Sequence, residues 1–233
     1  MPLIAQVAAE VVARPLPLLC LDTCDLLDVI QSVSDRLPGK LEYAGRIHAA
    51  ATGPSPSVLL ASSFLIPIEF AQNVTGVVDE VVRAIQDTDD RIEFLISASL
   101  LAGLIPPASI RLSALDLPAA VRSIAGRILS VARVLDRDAT CVDRALERVV
   151  RKDRPSHRGG VKDSVHLEHY LELARHVRAL GATSKIAFAS ANSDDFWEGK
   201  KNSDLHHSLR SEFGAVDMRF FGSWQAACGW LGI

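Results

Sequence analysis

The chain alternates short apolar runs with stretches of helical periodicity. Leu18-Leu19-Cys20-Leu21, Ser57-Val58-Leu59-Leu60-Ala61 and Ile186-Ala187-Phe188-Ala189 have strand length and lack polar alternation. That is the pattern of strands buried on both faces of a parallel sheet. Met218-Arg219-Phe220-Phe221 is a candidate last strand. Helices are expected over 3–13, 26–35, 41–51, 205–213 and 224–231. From Ala71 to Ile105 the pattern predicts two helices broken near Asp87-Thr88-Asp89-Asp90, an acidic turn that caps the second one. Pro106-Pro107 and Pro118 bracket a connection, and a long helix then carries Val121, Ile124, Ile128, Val131 and Leu135 to about Arg151. After Gly159-Gly160, Leu167, Tyr170, Leu171, Ala174 and Val177 form one buried helical face. Glu168, His169, Glu172, Arg175, His176 and Arg178 fill the other, and Gly181 ends the helix. Strands alternating with helices predict an α/β fold with a mainly parallel central sheet and helices on both faces.

Composition changes this picture little. Apolar residues make up 48% and charged residues 23% of 233, and the net charge is −3, so nothing in the balance as a whole favours nucleic acid. Four scattered cysteines are too few for a disulfide scaffold, and Cys20 and Cys24 lack two further ligands for zinc. The N-terminal stretch has no basic residue before Arg14 and is broken by Pro15 and Pro17, a poor signal peptide. The apolar run from Phe94 to Ile105 is too short to span a bilayer. The expectation is a soluble, cytoplasmic protein without membrane partners.

The candidate chemistry lies in acids at element ends. Asp22 follows the first strand, Asp163 opens the helix that contains Leu167, and Asp194-Asp195 follow the strand at 186–189; Glu69 is a fourth candidate on an early helix. Ligands of open α/β sheets bind at the carboxyl ends of strands. Crowded carboxylates raise one another's pKa, and a hard divalent cation relieves the conflict. Two such ions can activate water and stabilise the leaving oxygen of a phosphodiester.

In order and wording these residues resemble the PIN-domain nucleases. Asp22-Thr23 follows an apolar strand, Glu69 lies in an early helix, Lys162-Asp163 opens a later one, and Ser190-x-Asn192-x-x-Asp195-Phe196 follows a strand. The family commonly has Thr where Ser190 stands. The long helical middle and Gly159-Gly160-Val161-Lys162-Asp163 look more like larger PIN-like proteins than compact toxins. The resemblance implies one PIN-like three-layer α/β/α domain over 1–233, with a helical insertion at about 71–157. It also implies Mg²⁺ or Mn²⁺ as cofactor, RNA as substrate and possible control by an inhibitor or antitoxin protein. On this resemblance Asp22, Asp163 and Asp195 bind metal, and Glu69 binds metal or orients the attacking water. Ser190, Asn192, Asp194 and Lys162 shape the site or contact substrate.

A basic run supports the substrate class separately. Between Arg144 and Lys162 stand seven basic residues against two acids. Arg148, Arg151, Lys152, Arg154 and Arg158 are expected to follow an RNA backbone, with few aromatics for base stacking. His157, His166, His169, His206 and His207 are read as structural rather than as a zinc site or general base. No serine-hydrolase elbow or phosphate-binding glycine loop is present. Two alternatives stand beside the nuclease. A binding module on the same scaffold would hold RNA or protein without cutting. A haloacid-dehalogenase-like phosphatase needs a second acid two residues after Asp22, where this chain has Cys24.

Overall fold

A computed structural model describes residues 2–105, 111–199 and 202–233. Its centre is a five-stranded, all-parallel sheet. β1 (Leu18–Cys20), β2 (Leu59–Ser62) and β4 (Ile186–Ala189) are fully buried, as their uninterrupted apolar runs require. β3 (Arg133–Val134) and β7 (Met218–Phe221) form the edges. The order is β3-β2-β1-β4-β7, with Leu18 in register with Leu59 on one side and Ile186 on the other. The chain steps outward from β1 to β2 to β3, then returns to β4 on the far side of β1. A topological switch point therefore lies between β1 and β4, where the crevice opens at the strands' carboxyl ends.

The crossovers between β1 and β3 supply α2 (Thr23–Gln31), α3 (Pro38–Thr52), α4 (Leu65–Leu101) and α5 (Leu117–Val131), which pack together with α9 (Trp224–Leu231) on α3. On the other side α1 (Ile4–Ala13) and α6 (Ala139–Arg151) pack against α7 (Lys162–Ala179), and α8 (His207–Ala215) packs on β7. The result is a three-layer α/β/α sandwich. A short hairpin of β5 (Trp197–Gly199) and β6 (Asn202–Leu205) follows β4. Phe188 of β4 is the hub of an aromatic cluster with Tyr170, Phe196, Phe213 and Phe220, at centroid separations of 5.1–6.4 Å. Phe196 ties the loop after β4 into the core.

Several expectations are corrected. The 37-residue α4 runs unbroken through Asp87-Thr88-Asp89-Asp90. Asp89 accepts hydrogen bonds from the Leu112 and Ser113 amides and the Ser113 hydroxyl, so it caps the 3-10 turn at Leu112–Leu115 rather than a second half of the same helix. The tract from Ala119 to Arg151 is two helices with β3 between them. The segment 71–157 therefore contributes an edge strand and helices that pack on the sheet's own layers. α7 is buried nearly all round, Glu168 and His169 included, because α6 covers the face expected to meet solvent. Pro106-Pro107 lies outside the described residues. Gly181, at φ +81°, turns the chain out of α7 as expected. Among the described residues no helix is long and apolar enough to cross a membrane.

Candidate active site

Three strand ends and one helix start meet at the crevice. Asp22 leaves β1 as the residue before α2, and its side chain is almost wholly buried. The Ser190 hydroxyl, from the exit of β4, donates to its Oδ2. Two residues on, the Asn192 amide donates to Asp195 Oδ2 at 3.0 Å, and the Asn192 N–H donates to Ser190 Oγ at 3.1 Å. The Ser-x-Asn-x-x-Asp loop is thus one hydrogen-bonded unit that holds one acid directly and orients another. Trp197 Nε1 donates to the Ser190 carbonyl at 3.1 Å and fixes the loop from outside.

Glu69, on the first turns of α4, is the best-anchored acid. Its Oε2 accepts from Thr23 Oγ1 at 2.8 Å and from His166 Nε2 at 3.0 Å, while Oε1 faces Lys162 Nζ at 3.4 Å. Burial opposes its ionisation, but these bonds and the charges of His166 and Lys162 outweigh that and hold its pKa down to about 2. His166 is deeply buried, with Nδ1 on Ser63 Oγ at 2.5 Å. Burial works against its imidazolium, but the Glu69 hydrogen bond and the charges of Asp22, Glu69 and Asp163 prevail and raise its pKa. Tyr170 braces the floor, donating to Leu21 O at 2.6 Å and accepting from Ser63 N at 3.0 Å, so it joins the exits of β1 and β2.

Asp163 is the acid under electrostatic stress. Burial first, then the charge of Asp22 and those of Asp195 and Glu69, push its pKa up to about 7 against the opposing charge of His166. Burial likewise raises Asp22. Lys162 and His166, on the same helix as Asp163, pair with Glu69 instead. All four carboxylates singled out from sequence therefore share one field. Glu69 is paired directly with protein cations; Asp22 and Asp163 feel the charge of His166, but burial outweighs it.

The basic run divides. Arg148 is taken up internally. It pairs with Glu168 and Glu212 and donates to Arg154 O at 3.0 Å, with a side chain only 11% exposed, so the expectation that it follows an RNA backbone is corrected. Glu168 is buried and needs two arginines, and Arg144 supplies the second at 2.7 Å. Arg154 donates to Asp194 O, and Arg158 pairs with the Asp194 carboxylate at 2.7 Å; this binds the segment to the β4 loop. His157 Nδ1 lies 3.5 Å from Asp195. Arg151 and Lys152 sit exposed at the end of α6, and Lys162 is 58% exposed above Glu69.

The sequence reading gave no role in the site to Thr23, Ser63, His166 or Tyr170. His166 carried a usable signal, since it stands three residues after Asp163 and so shares its helix face. His206, His207 and Glu198 each bring a donor atom within 4.8 Å of the others, on the rim of the β5–β6 hairpin. His169 is structural: it accepts from Asp138 N at 3.2 Å and bonds Val165 O at 2.8 Å. The four cysteines are unbridged. Burial pushes the Cys20 and Cys24 thiols far up, the opposite of what thiolate metal ligands need.

The chain matches no family model, no curated protein and no solved structure. Function must be argued from the crevice itself.

Proposed function

We propose that the protein is a Mg²⁺- or Mn²⁺-dependent ribonuclease of the PIN-like kind, in which Asp22, Asp163 and Asp195 hold the metal. The observation that carries the reading is the placing of the acids at the sheet's carboxyl edge: Asp22 is held by Ser190, whose loop orients Asp195, and Asp163 opens the helix whose His166 bonds Glu69, while burial and the neighbouring acids push the Asp163 carboxyl up. An all-oxygen set of acids with excess negative charge at a sheet's carboxyl edge suits a hard divalent cation, which would have to draw them together, because among the described residues only Glu198, His206 and His207 bring donor atoms within 4.8 Å of one another. Bound there, the ion supplies a Lewis acid for the phosphodiester and lowers the pKa of a water.

The chain's own residues do the remaining work. Ser190 and Asn192 orient Asp22 and Asp195. Glu69 stays ionised throughout the working pH range, and with Oε2 occupied by Thr23 and His166 its Oε1 is the side that can accept from a water. Lys162, Arg151 and Lys152 offer exposed cationic groups to phosphates, and Arg158 keeps a largely exposed guanidinium beside the β4 loop. The phosphatase alternative finds no second acid: Cys24 stands in that position, largely buried, with its thiol held protonated. The unbridged cysteines suit a reducing compartment such as the cytoplasm.

The test is incubation of the purified protein with a mixed RNA pool in Mn²⁺ or in EDTA. Cleavage in Mn²⁺ and none in EDTA is the expected result. Cleavage that survives EDTA, or no cleavage in either, overturns the reading.

A further inference from the structure

Among the described residues one group of metal-ligating side chains has its donor atoms close together: Glu198 of β5, His206 and His207 each place one within 4.8 Å of the others. Side chains adjacent in sequence ordinarily diverge, on a strand or on a helix. Here the chain changes conformation between them. His206 is the N-cap of α8, outside the helical conformation at φ −54° and ψ 136°, and His207 is the first helical residue. The two rings therefore lie together, with centroids 4.2 Å apart. Glu198 reaches the same spot from the hairpin; its carboxylate accepts from the His207 N–H at 2.6 Å and meets His207 Nδ1 at 3.0 Å. The backbone holds the group in place. The His206 N–H donates to Phe196 O at 2.8 Å, and Arg210, one turn into α8, donates to Leu205 O at 3.1 Å and to Glu198 at 3.4 Å. His206 Nδ1 meets Ser208 Oγ at 2.8 Å. Neither histidine's Nε2 has a hydrogen-bond partner among the described residues.

We infer that Glu198, His206 and His207 form a Zn²⁺ site, separate from the acids around Asp163, that ties the β5–β6 hairpin to the start of α8. The inference does not depend on the nuclease reading. Two imidazoles and one carboxylate make a zinc donor set that leaves a fourth position for water. Imidazole nitrogen selects against Mg²⁺, which takes oxygen ligands. Bonds of about 2.0–2.1 Å space tetrahedral zinc ligands roughly 3.3 Å apart, so the donor atoms have about 1.5 Å at most to close. All three side chains are exposed or half-buried and can make that movement without disturbing the core. With Nε2 of His206 on the ion, its ring proton lies on Nδ1 and is donated to Ser208 Oγ, the kind of outer bond that fixes a ligand's tautomer. Adjacent histidines with an acid eight positions before them match no recurrent zinc spacing, which is why they read as structural from sequence. The hairpin starts at Trp197, whose Nε1 bonds Ser190 O at 3.1 Å. An ion here therefore stiffens the loop that carries Asn192 and Asp195.

The test is calorimetric titration of the metal-stripped full chain with Zn²⁺ in excess Mg²⁺, together with X-ray absorption at the zinc edge. One Zn²⁺ per chain is expected, with imidazole nitrogens in its coordination shell. His207→Ala should weaken binding about a hundredfold or more, since even the outer partners of a ligand are worth roughly 10–100-fold in affinity. The His207 side chain is 68% exposed, so this variant should melt like wild type. Asp163→Asn, which alters only the other cluster, should leave the Zn²⁺ affinity unchanged. No zinc bound in excess Mg²⁺, a zinc shell without imidazole, or an affinity unmoved in folded His207→Ala protein overturns the site. Affinity lost in Asp163→Asn but kept in His207→Ala places the ion among the acids and overturns it too. Zinc bound as expected by a protein that cleaves no RNA leaves this site standing and removes the nuclease, so the two failures are separable.

Discussion

Replacing Asp163 by Asn should make the metal-free protein more stable, by an amount that grows with pH. In the folded chain burial and the charges of Asp22, Asp195 and Glu69 move the Asp163 carboxyl from 3.8 up to about 7. A carboxyl raised on folding contributes most below the unfolded value, and the contribution is lost as pH rises through the folded value. The window is therefore about pH 4 to 7. The full gap converts to roughly 4 kcal/mol at 1.36 kcal/mol per pH unit. Solvent access to Asp163 and sharing of the charge among four acids reduce this to about 2 kcal/mol. Asn keeps the shape and sheds the charge, so the variant should match or fall slightly below wild type near pH 4 and gain steadily to pH 7. For a chain of this size that is a relative rise in Tm of about 4–8 °C, read by thermal melts in EDTA between pH 4.5 and 8. Under the proposed metal role, saturating Mn²⁺ should reverse the order, because the ion would stabilise wild type and bind the Asp163→Asn protein poorly. A difference between the two proteins that stays flat across this window would refute the crowding of acids.

The remaining predictions follow from particular contacts. Changing Arg151, Lys152 and Arg158 together to Gln in the Asp163→Asn protein should flatten the slope of log affinity for single-stranded RNA against log salt by about 2, at roughly 0.7 per phosphate contact; an unchanged slope returns these residues to an ordinary solvated face. Arg148→Ala should instead leave the slope alone and cost about 2–4 kcal/mol in urea unfolding, because Glu168 stays buried with only Arg144 to balance it. Tyr170→Phe should cost about 1–3 kcal/mol with an unchanged m-value, since the Ser63 N–H and the Leu21 carbonyl both lose their partner.

Much of this arrangement was legible in the chain, and the exceptions have physical causes. β1, β2 and β4 announce themselves because strands buried on both faces need no polar alternation. β3 was hidden because a two-residue edge strand with an exposed Arg133 leaves no apolar run, and Val131 and Leu135 continue the helical period across it. Asp87-Thr88-Asp89-Asp90 reads as a break on local propensity, yet tertiary hydrogen bonds to Asp89 hold the helix through it. Glu168 and His169 read as solvent-facing because their partners, Arg144, Arg148 and the Asp138 amide, come from another helix. The acids were found by their place at element ends. What periodicity could not show was that Glu69 is paired directly with His166 and Lys162 while Asp163 is not, since that depends on which of four neighbours each cation reaches.

The central claim is that Asp22, Asp163 and Asp195 jointly hold the divalent ion. It is tested most directly by an anomalous difference map from crystals of the protein soaked in Mn²⁺. A peak within coordination distance of Asp22 and Asp163 oxygens, absent from the Asp163→Asn protein, is the predicted result. An ion only at Glu198, His206 and His207, or none near Asp163 at saturating Mn²⁺, would contradict it.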